Sequence, residues 1–372
     1  MRGTAMFKSL IAVLSLSESL RSNQSGARSA NSLRVGVDSN LARLDRTTGH
    51  GRIWSTGIEH LGHVASIVAD PGDHTATPRP DVWLTYGHAD ATAVAEPVVA
   101  LVWEARWVEP ALAADIDPAF LSRVAPTTAQ AVRQATRVLT ISFASARHIA
   151  RLGVSADRID VVPPGVDLDL FQPGLTGGRE LVASRTDDDR PYIISVASLF
   201  RGKNLPLLQR AMARLSSRGF PHRLVLVTQR SGDGVDPAQA LAELTAAAGP
   251  RPEVFENVTD RELAALIASS TAFCLPSRFE GFGLPALEAL ACGVPVVVAN
   301  GGALPEVVAD AGLIVEPEED AIARALATVI EDDALARTLA LKGRQRAETF
   351  TWERTAAGWL RALTQAAESG HS

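Results

Sequence analysis

The sequence predicts an α/β protein built from two doubly wound domains that face each other across a cleft. Short apolar strands alternate with amphipathic helices along most of the chain, which is typical of parallel sheets covered by helices. A polar, glycine-containing stretch, QPGLTGGRELVASRTDDDR, interrupts this alternation near the middle. The 372 residues also exceed the size at which a single core usually stops growing.

Composition and charge exclude several classes of protein. Hydrophobic residues make up 46% and charged residues 21%, values that are ordinary for a globular protein and unlike those of a disordered one. The formal net charge of −6 argues against a general nucleic-acid binder. Cys274 and Cys292 lie in apolar runs without a CxxC neighbour, so we expect neither a disulfide framework nor a zinc site. These features favour a reducing, cytoplasmic location.

The first 32 residues are predicted to form a polar leader, disordered and outside the fold. Their apolar part is short, is interrupted by serines and cannot span a bilayer, which needs about 20 apolar residues. Residues 1–34 carry five Lys or Arg against one Glu. Weak attraction to a membrane surface is therefore the alternative interpretation of this segment.

Residues 33–172 are predicted to form the N-terminal domain. Its helical patterns are IWSTGIEHLGHV, TTAQAVRQA and SARHIARLG, and TTGHGR is predicted to be a glycine turn between the first strand and the first helix. The strand candidates are short apolar runs: LRVGVD, DVWLTY, PVVALVW, RVLTIS and IDVVPP.

Residues 173–190 are predicted to be the linker, and residues 191–350 the C-terminal domain. A closing helix over 351–370 has amphipathic spacing and is a candidate to cross back to the N-terminal domain. The helical patterns of the C-terminal domain are LPLLQRAMARLSSRG, PAQALAELTAAAG, DRELAALIA and PALEALAC. Its strand candidates are PYIISVASL, HRLVLVT, PEVFENV, STAFCLPS, VPVVVAN and AGLIVEP.

One stretch, EGFGLPALEALACGVPVVVA at 280–299, concentrates residues that suit ligand binding. The strand before it should end near Ser277, so the glycine turn lies at the carboxyl edge of the sheet, where open α/β sheets bind ligands. Pro285 suits the first turn of a helix and Gly293 suits its end. Glu280 then lies in the loop and Glu288 on the helix.

The chemistry of this turn suits a ligand that carries both phosphate and hydroxyl groups. Glycines let the backbone approach a phosphate closely, and the helix start offers unpaired N–H groups. Carboxylates instead accept hydrogen bonds from hydroxyls, as a nucleotide sugar would provide. The alternative is that Glu288 is a solvated helix residue and Glu280 a capping charge.

The motif E-x7-E from Glu280 to Glu288, inside SRFEGFGLPALEALACGVPVVVANGGALPEVVADAGLIVEP, closely resembles the signature of the family-four retaining glycosyltransferases of the GT-B fold. The similarity extends to VTDRELAALIASSTAFCLPS, to PGVD at 164–167 and to FTWERTA. It therefore covers nearly everything from about residue 33 onward. The resemblance implies two Rossmann-like domains, with the nucleotide sugar bound by the second.

The resemblance also assigns roles to the residues of this motif. It places Glu280 beside the donor sugar and Glu288 on the ribose hydroxyls of the nucleotide. The glycine turn and the helix start would hold the diphosphate or sugar through the backbone of Gly281, Phe282, Gly283 and Leu284.

Basic and glycine-rich segments complete the expected donor site. SVASLFRGKN resembles the family's strand and loop whose Lys and Arg neutralise the leaving diphosphate, which implies this role for Lys203 and Arg201. The arginine stands two residues before the lysine, unlike the usual family spacing, and a basic surface turn is the alternative. TTGHGR resembles the family's T-G-x-G-R loop, which implies that Gly49 and Gly51 lie near the donor phosphates and the acceptor. His50 would be either ligand-facing or solvent-exposed.

The sequence departs from the family at PVVALVWEARWVEP. The family strand normally ends in His followed by Asp or Glu, whereas Trp103 and Glu104 stand here. That histidine ordinarily touches the donor sugar, so its loss implies a changed sugar, an altered rate or lost activity. The aromatic residues near these strand ends are expected either to stack on sugars or to pack: Trp83, Tyr86, His88, Trp103 and Trp107. Ser142 is expected to be structural.

The resemblance implies a metal-independent, cofactor-free retaining transferase that moves a hexosyl group from a nucleotide-diphosphate sugar to a hydroxyl acceptor. UDP-, GDP-, ADP- and dTDP-sugars are all compatible with these residues; a GDP- or UDP-sugar is expected, and the resemblance of VASLFRGKN to mannosyltransferase-like members slightly favours GDP. The acceptor, a small molecule or glycan, would bind the N-terminal domain. A catalytically impaired nucleotide-sugar-binding protein and a GT-B sugar-nucleotide epimerase are the alternatives. A Rossmann dehydrogenase is disfavoured, because TTGHGR lacks the full GxGxxG pattern.

Overall fold

A computed structural model describes residues 33–37, 49–68, 79–87, 94–186, 188–228, 242, 244, 246 and 249–369. The predicted leader over 1–32, residue His88 and most of the predicted helix PAQALAELTAAAG lie outside the described residues. Within these ranges the chain forms two six-stranded parallel sheets. This arrangement confirms the predicted α/β architecture of two doubly wound domains.

The first sheet has the strand order β2-β1-β3-β4-β5-β6, and every pairing in it is parallel. The strand order reverses at β1, because β2 pairs with one side of β1 and the next strand in the chain, β3, pairs with its other side. The strands are β1 Arg34–Val37, β2 Ser66–Val68, β3 Val82–Tyr86, β4 Val98–Leu101, β5 Arg137–Thr140 and β6 Ile159–Val161. The helices are α1 Gly49–Leu61, α2 Pro110–Ala113, α3 Pro118–Gln134 and α4 Phe143–Ala150.

The second sheet has the order β12-β11-β10-β7-β8-β9 and is also parallel. Its switch point lies between β7 and β10, and ligands of such sheets bind outside the carboxyl ends of these strands. The strands are β7 Tyr192–Val196, β8 Arg223–Thr228, β9 Glu253–Glu256, β10 Ala272–Leu275, β11 Val296–Ala299 and β12 Leu313–Val315. The helices are α5 Gly178–Thr186, α6 Leu205–Ser217, α7 Asp260–Ala268, α8 Leu284–Ala291, α9 Leu304–Val308, α10 Glu319–Glu331 and α11 Asp333–Ala347.

The last helix, α12 over Trp352–Ser369, packs against α1 and strands β3 to β5 of the first sheet. Trp359 is fully buried, and its ring lies 6.1 Å from that of Trp54 on α1. A Cβ on Gly57 would come within 2.4 Å of the Trp359 ring, so α1 needs a glycine there to approach α12. The end of the chain therefore covers the N-terminal sheet. None of the helices in the described ranges is long and apolar enough to cross a bilayer.

The predicted glycine turn TTGHGR is partly wrong. Residues 49–52 form the first turn of α1, which begins at Gly49. The apolar face of this helix includes the buried residues Gly51, Ile53 and Trp54, so its packing continues into the glycine segment and overrides the weak helix propensity of glycine. Thr47 and Thr48 lie outside the described residues.

Residues 173–190, predicted as linker, contain helix α5. It packs against α7: a Cβ on Gly178 would lie 2.2 Å from the carbonyl oxygen of Ala265, and Val182 is buried. Arg185 stacks over the ring of Phe255 at 4.2 Å. The segment has few apolar residues, so its helical pattern is weak in the sequence although one side of it packs on the second domain.

Candidate active site

A carboxylate and an ammonium group meet at the switch point of the second sheet. The Lys203 Nζ lies 2.9 Å from Oε1 and 2.8 Å from Oε2 of Glu280. Ser277 donates its hydroxyl to Glu280 Oε1 at 2.6 Å. Lys203 ends a 3-10 helix, Arg201–Lys203, that follows β7, whereas Glu280 lies in the loop after β10. The two loops are tied together by the Arg278 amide, which donates to the Gly202 carbonyl at 2.9 Å.

The backbone of Glu280 is fixed from its other side by the loop after β11. The Ala303 amide donates to the Glu280 carbonyl at 2.9 Å. A Cβ on Gly302 would lie 2.3 Å from that carbonyl oxygen and 2.7 Å from the Glu280 amide nitrogen, and Gly302 has a φ of 62°. Glu280 is only 8% exposed. Its carboxylate is therefore held in place before any ligand arrives.

The glycine turn leads into α8 as the sequence predicts. Gly283 is the N-cap residue with a φ of 99°, a left-handed conformation that favours glycine, and Pro285 lies in the first turn. Gly293 follows the helix with a φ of 66°. The amides of Phe282 and Gly283 donate to no acceptor among the described residues, and the first amides of a helix have no partner within it. This turn can therefore bind an anion through its backbone.

Glu288 lies on the buried face of α8 and meets an arginine from the other domain. Its Oε1 lies 2.7 Å from Nη2 of Arg52, which is in the first turn of α1. Arg52 Nη1 is also 3.5 Å from Asp260 Oδ1. Glu288 is 1% exposed, and its Oε2 has no hydrogen-bond partner among the described residues. Burial raises the pKa of Glu288 to about 7, although Arg52 pulls it the other way.

Trp103 is enclosed at the end of β4. Its ring stacks on the His50 ring, with centroids 5.5 Å apart and planes 8° from parallel, and the Tyr86 ring lies 6.1 Å away. Trp103 is 3% exposed, and its indole Nε1 has no partner within the described ranges. His50 is exposed at the start of α1, so it covers Trp103 while its other side faces solvent.

Two other tryptophans near these strand ends pack in the structure. Trp83 fills the space beside Gly36, whose Cβ would lie 2.3 Å from the Trp83 ring. Trp107 packs against the apolar cluster around β5. Packing, the second of the two roles expected for the aromatic residues, thus describes Trp83 and Trp107.

Glu104 faces the glycine turn from across the cleft. A Cβ on Gly281 would lie 3.1 Å from Glu104 Oε2 and 3.3 Å from the Trp103 carbonyl oxygen. Ser145 donates its hydroxyl to the Gly281 carbonyl at 3.3 Å. The absence of a side chain at Gly281 is therefore what lets the two domains meet here.

Further contacts hold the domains together around the cleft. Glu306 accepts hydrogen bonds from the amides of Phe143 at 2.8 Å and Ala144 at 2.7 Å, at the start of α4. Arg106, which pairs with Glu104 at 3.3 Å, stacks over the Phe200 ring at 4.4 Å. Ser142 caps α4 by accepting from the Ser145 amide at 3.0 Å, which agrees with the structural role expected for it.

The structure brings most of the predicted site residues to this cleft, in two groups. Lys203, Glu280, Gly281 and Glu104 form one group, and Glu288 lies in the other with Arg52. Arg201 differs from Lys203, because its side chain is exposed. Gly49 is exposed as well, and a Cβ there would meet no atom within 4 Å.

Sequence reasoning missed Arg52, Ser277 and Glu306. Arg52 had a signal, because it is the arginine that ends the T-G-x-G-R pattern. Ser277 stands three residues before Glu280, where a loop can fold its hydroxyl back onto the carboxylate. Glu306 carried no signal, since its partners are backbone amides of the other domain.

Two family descriptions match the chain. "Glycosyl transferases group 1" matches residues 179–346, and "Glycosyltransferase Family 4" matches residues 74–170. The matched ranges contain Lys203, Glu280 and Glu288 in the first case and Trp103 and Glu104 in the second. Together the two matches cover most of residues 74–346, and both describe glycosyltransferases. They confirm the resemblance to the family-four glycosyltransferases.

Curated relatives are about one third identical to this chain over the aligned residues. An MMP alpha-(1->4)-mannosyltransferase from Mycolicibacterium hassiacum is 36% identical over 232 residues, which are 60% of this chain and 53% of the relative. A D-inositol 3-phosphate glycosyltransferase from Salinispora arenicola is 34% identical over 252 residues, 64% of this chain and 56% of the relative. The chain thus spans little more than half the length of these relatives.

Solved structures share the fold at low sequence identity. A sucrose-phosphate synthase from Thermosynechococcus elongatus has a TM-score of 0.69 at 19% identity, over 90% of this chain and 98% of that one. Anabaena HepE in complex with UDP and glucose has a TM-score of 0.69 at 16% identity, over 90% of this chain and all of that one. These similarities confirm the predicted GT-B fold.

Proposed function

We propose that this chain transfers a hexosyl group from a nucleotide-diphosphate sugar to a hydroxyl acceptor, with retention of anomeric configuration. The observation that carries the proposal is the contact of Lys203 with Glu280 beside an amide-lined glycine turn, at the carboxyl edge of the second sheet. The Lys203 ammonium group, a backbone turn that can bind an anion and the fixed carboxylate of Glu280 lie together there. The N-terminal domain closes this site through Glu104 and the Trp103 carbonyl.

The nucleotide would lie along the start of α8. The diphosphate would accept hydrogen bonds from the amides of Phe282, Gly283 and Leu284 and gain from the positive end of the helix. Glu288 would accept a ribose hydroxyl through Oε2, which is buried and lacks a partner among the described residues. Such an unpaired acceptor is costly unless a ligand supplies the donor.

In the transfer step, the bond between the sugar C1 and the diphosphate oxygen breaks, and a bond from C1 to the acceptor oxygen forms on the same face. The acceptor proton passes to the leaving diphosphate. Lys203, which is already in position, would stabilise the negative charge that develops on the diphosphate by electrostatic catalysis. Arg201, exposed on the same 3-10 helix, would add to this charge. Glu280 would orient the sugar. With these cations we propose that the reaction requires no metal.

For the donor and the acceptor we propose chemical classes. The solved HepE complex holds UDP and glucose, and one relative is named a mannosyltransferase, so UDP- and GDP-sugars are the first donors to test. Relatives named for D-inositol 3-phosphate support a small hydroxyl acceptor. We propose that the acceptor binds on the N-terminal side of the cleft, near Trp103 and Glu104.

A donor screen tests the proposal. UDP-, GDP-, ADP- and dTDP-sugars would be incubated with the protein and a panel of polyols and sugar phosphates, and release of the free nucleotide diphosphate measured. Donor-dependent release that rises with acceptor supports transfer. The product's anomeric configuration, read by NMR, tests retention, and activity in excess chelator tests the proposed independence of metal. No binding and no turnover across the panel would contradict the proposal.

A second candidate is a nucleotide-sugar-binding protein without turnover. The observation that favours it is Trp103, which is buried and stacked on His50 where the family pattern has a histidine. Binding of a nucleotide sugar without transfer or hydrolysis would support this reading. Substitution of Trp103 by His then asks whether turnover appears.

A further inference from the structure

Arg52 and Glu288 form a buried ion pair that joins the two domains at the proposed nucleotide site. Arg52 comes from the first turn of α1, and Glu288 from the middle of α8. The guanidinium contacts one carboxylate oxygen, Oε1, at 2.7 Å. The other oxygen, Oε2, is buried and has no hydrogen-bond partner among the described residues.

The different surroundings of the two Glu288 carboxylate oxygens determine which group can stabilise the negative charge. A carboxylate removed from water is stable as an anion only with a nearby positive charge or several hydrogen-bond donors. A ribose offers hydroxyls, which carry no charge. Arg52 therefore supplies the charge compensation that a nucleotide cannot supply, and it leaves one oxygen for the hydroxyl.

We propose that Arg52 is a positioning residue of the donor site: it favours the ionised form of Glu288 and orients the carboxylate so that Oε2 can accept a ribose hydroxyl, and thereby makes donor affinity depend on the contact between the domains. This inference rests on the proposed function, because it assumes that Glu288 binds the nucleotide. It places a residue of the N-terminal domain at the ribose end of the site, beside Glu288 of the second domain.

The other charged groups around α8 do not replace Arg52. Asp260, at the start of α7, is acidic and raises the pKa of Glu288, as burial does. On α11, Arg344 donates to the carbonyls of Phe171 and Ala291, and Arg346 donates to those of Glu306 and Val307. The Glu306 carboxylate is held by the amides at the start of α4.

The cysteine thiols near α8 do not compensate the negative charge of Glu288 either. The pKa of Cys292 is raised to about 12 by burial and by Glu288, so this thiol stays neutral, and burial also raises the pKa of Cys274 in β10. Arg52 is thus the cation that directly contacts Glu288.

The test measures the affinity for a nucleotide sugar as a function of pH. A nucleotide sugar has no terminal phosphate group, so the ligand does not itself titrate near the second phosphate pKa of about 6. Isothermal titration would use the donor that the wild-type chain binds most tightly among UDP-, GDP-, ADP- and dTDP-sugars. The proteins are the wild type, R52Q, R52K, E288Q and R278Q, at pH values between 5.5 and 9.5.

We expect the wild-type affinity to rise with pH around a midpoint near 7, as Glu288 becomes ionised. R52Q should move this midpoint upward by about one unit or more, because a neighbouring positive charge typically lowers a carboxyl pKa by one to three units. Affinity at pH 7 should then fall about fivefold and recover at alkaline pH. R52K retains the charge and should keep the wild-type midpoint.

Two variants serve as controls. E288Q should bind weakly at every pH, without the midpoint. R278Q removes another ion pair between the domains, the 2.9 Å contact with Asp115, and should keep the wild-type midpoint. A purely structural role for Arg52 predicts a fall in affinity that is equal at all pH values.

The outcomes separate this inference from the proposed function. One outcome is that the affinity of the wild type has a pH midpoint which E288Q abolishes and R52Q leaves unchanged. The role of Arg52 is then wrong, while the nucleotide site stands. A midpoint in R52K shifted as far as in R52Q also contradicts the charge-based role. If the wild type binds no nucleotide sugar, the proposed function fails and this inference with it. Thermal melts of each variant ensure that the comparison is between folded proteins.

Discussion

Both carboxylate oxygens of Glu280 lie within 2.9 Å of the Lys203 ammonium, although the two residues are 77 positions apart in the sequence. Each follows a strand that borders the switch point, Lys203 after β7 and Glu280 after β10. Because these neighbouring parallel strands end at one edge, their loops meet. The pairing places a positive charge beside the turn that is proposed to hold the donor diphosphate.

Substitution of Lys203 by Ala should reduce turnover far more than donor affinity. The positive charge is worth most when negative charge accumulates on the leaving diphosphate, and loss of such a group typically costs about 10²–10³ in kcat. Steady-state kinetics with the best donor measures this. Lys342→Ala is the matched control, since that lysine pairs with Asp310 on the surface at 2.8 Å. An unchanged kcat in the Lys203 variant would remove this residue from the mechanism.

Substitution of Gly281 by Ala should impair donor use by crowding the contact between the domains. The new methyl group would lie 3.1 Å from Glu104 Oε2 and 3.3 Å from the Trp103 carbonyl oxygen. We expect a rise in KM for the donor, because the glycine turn or its neighbours must shift. The double variant with Glu104→Ala should lose less than the sum of the two single effects, because one of the clashes is gone. Strict additivity would mean that the two residues do not meet.

Substitution of Gly57 by Ala should destabilise the fold, even though alanine is the better helix former by about 1 kcal/mol. The added methyl would lie 2.4 Å from the Trp359 ring, and overpacking of this kind costs about 1–3 kcal/mol. Chemical denaturation measures the change in the free energy of unfolding. Glu59→Ala, at an exposed position on the same helix, is the control. A Gly57 variant as stable as the wild type would show that α12 does not pack on α1 as described.

The raised pKa of Glu288 predicts a pH dependence of stability. Its carboxyl titrates near 4.5 in the unfolded chain and at about 7 in the folded one, so the unfolded state loses its proton first as the pH rises. The contribution of Glu288 to the free energy of unfolding should therefore fall between about pH 4.5 and pH 7. Relative to the wild type, E288Q should gain stability over this window. A difference that is constant with pH would contradict the assigned burial.

The sequence predicts the parallel strands well because each is a short apolar run followed by turn residues. The start of α8 is also predictable, since Gly283 and Pro285 are local signals of a left-handed cap and a first turn. Helix α5 and strand β2 are not, because the helix buries only Gly178 and Val182 and the strand is three half-buried residues. Their structure depends on neighbours that lie far away in the chain.

The residues of the candidate site also differ in whether the sequence predicts them. Glu280, Glu288 and Lys203 follow from a motif and from resemblance to a family. Their partners do not, because Arg52 reaches Glu288 only when the two domains meet. No local sequence pattern predicts this contact between the domains. The unusual spacing already made Arg201 the weaker candidate beside Lys203, and the 3-10 helix leaves the Arg201 side chain exposed.

A crystal structure of the chain with its preferred nucleotide sugar is the decisive measurement for the donor site. We expect the diphosphate at the amides of residues 282–284, the ribose hydroxyls on Glu288 and the sugar beside Glu280 and Lys203. A donor bound elsewhere, with residues 280–288 free of contact to it, would show that the glycine turn and α8 do not form the donor site.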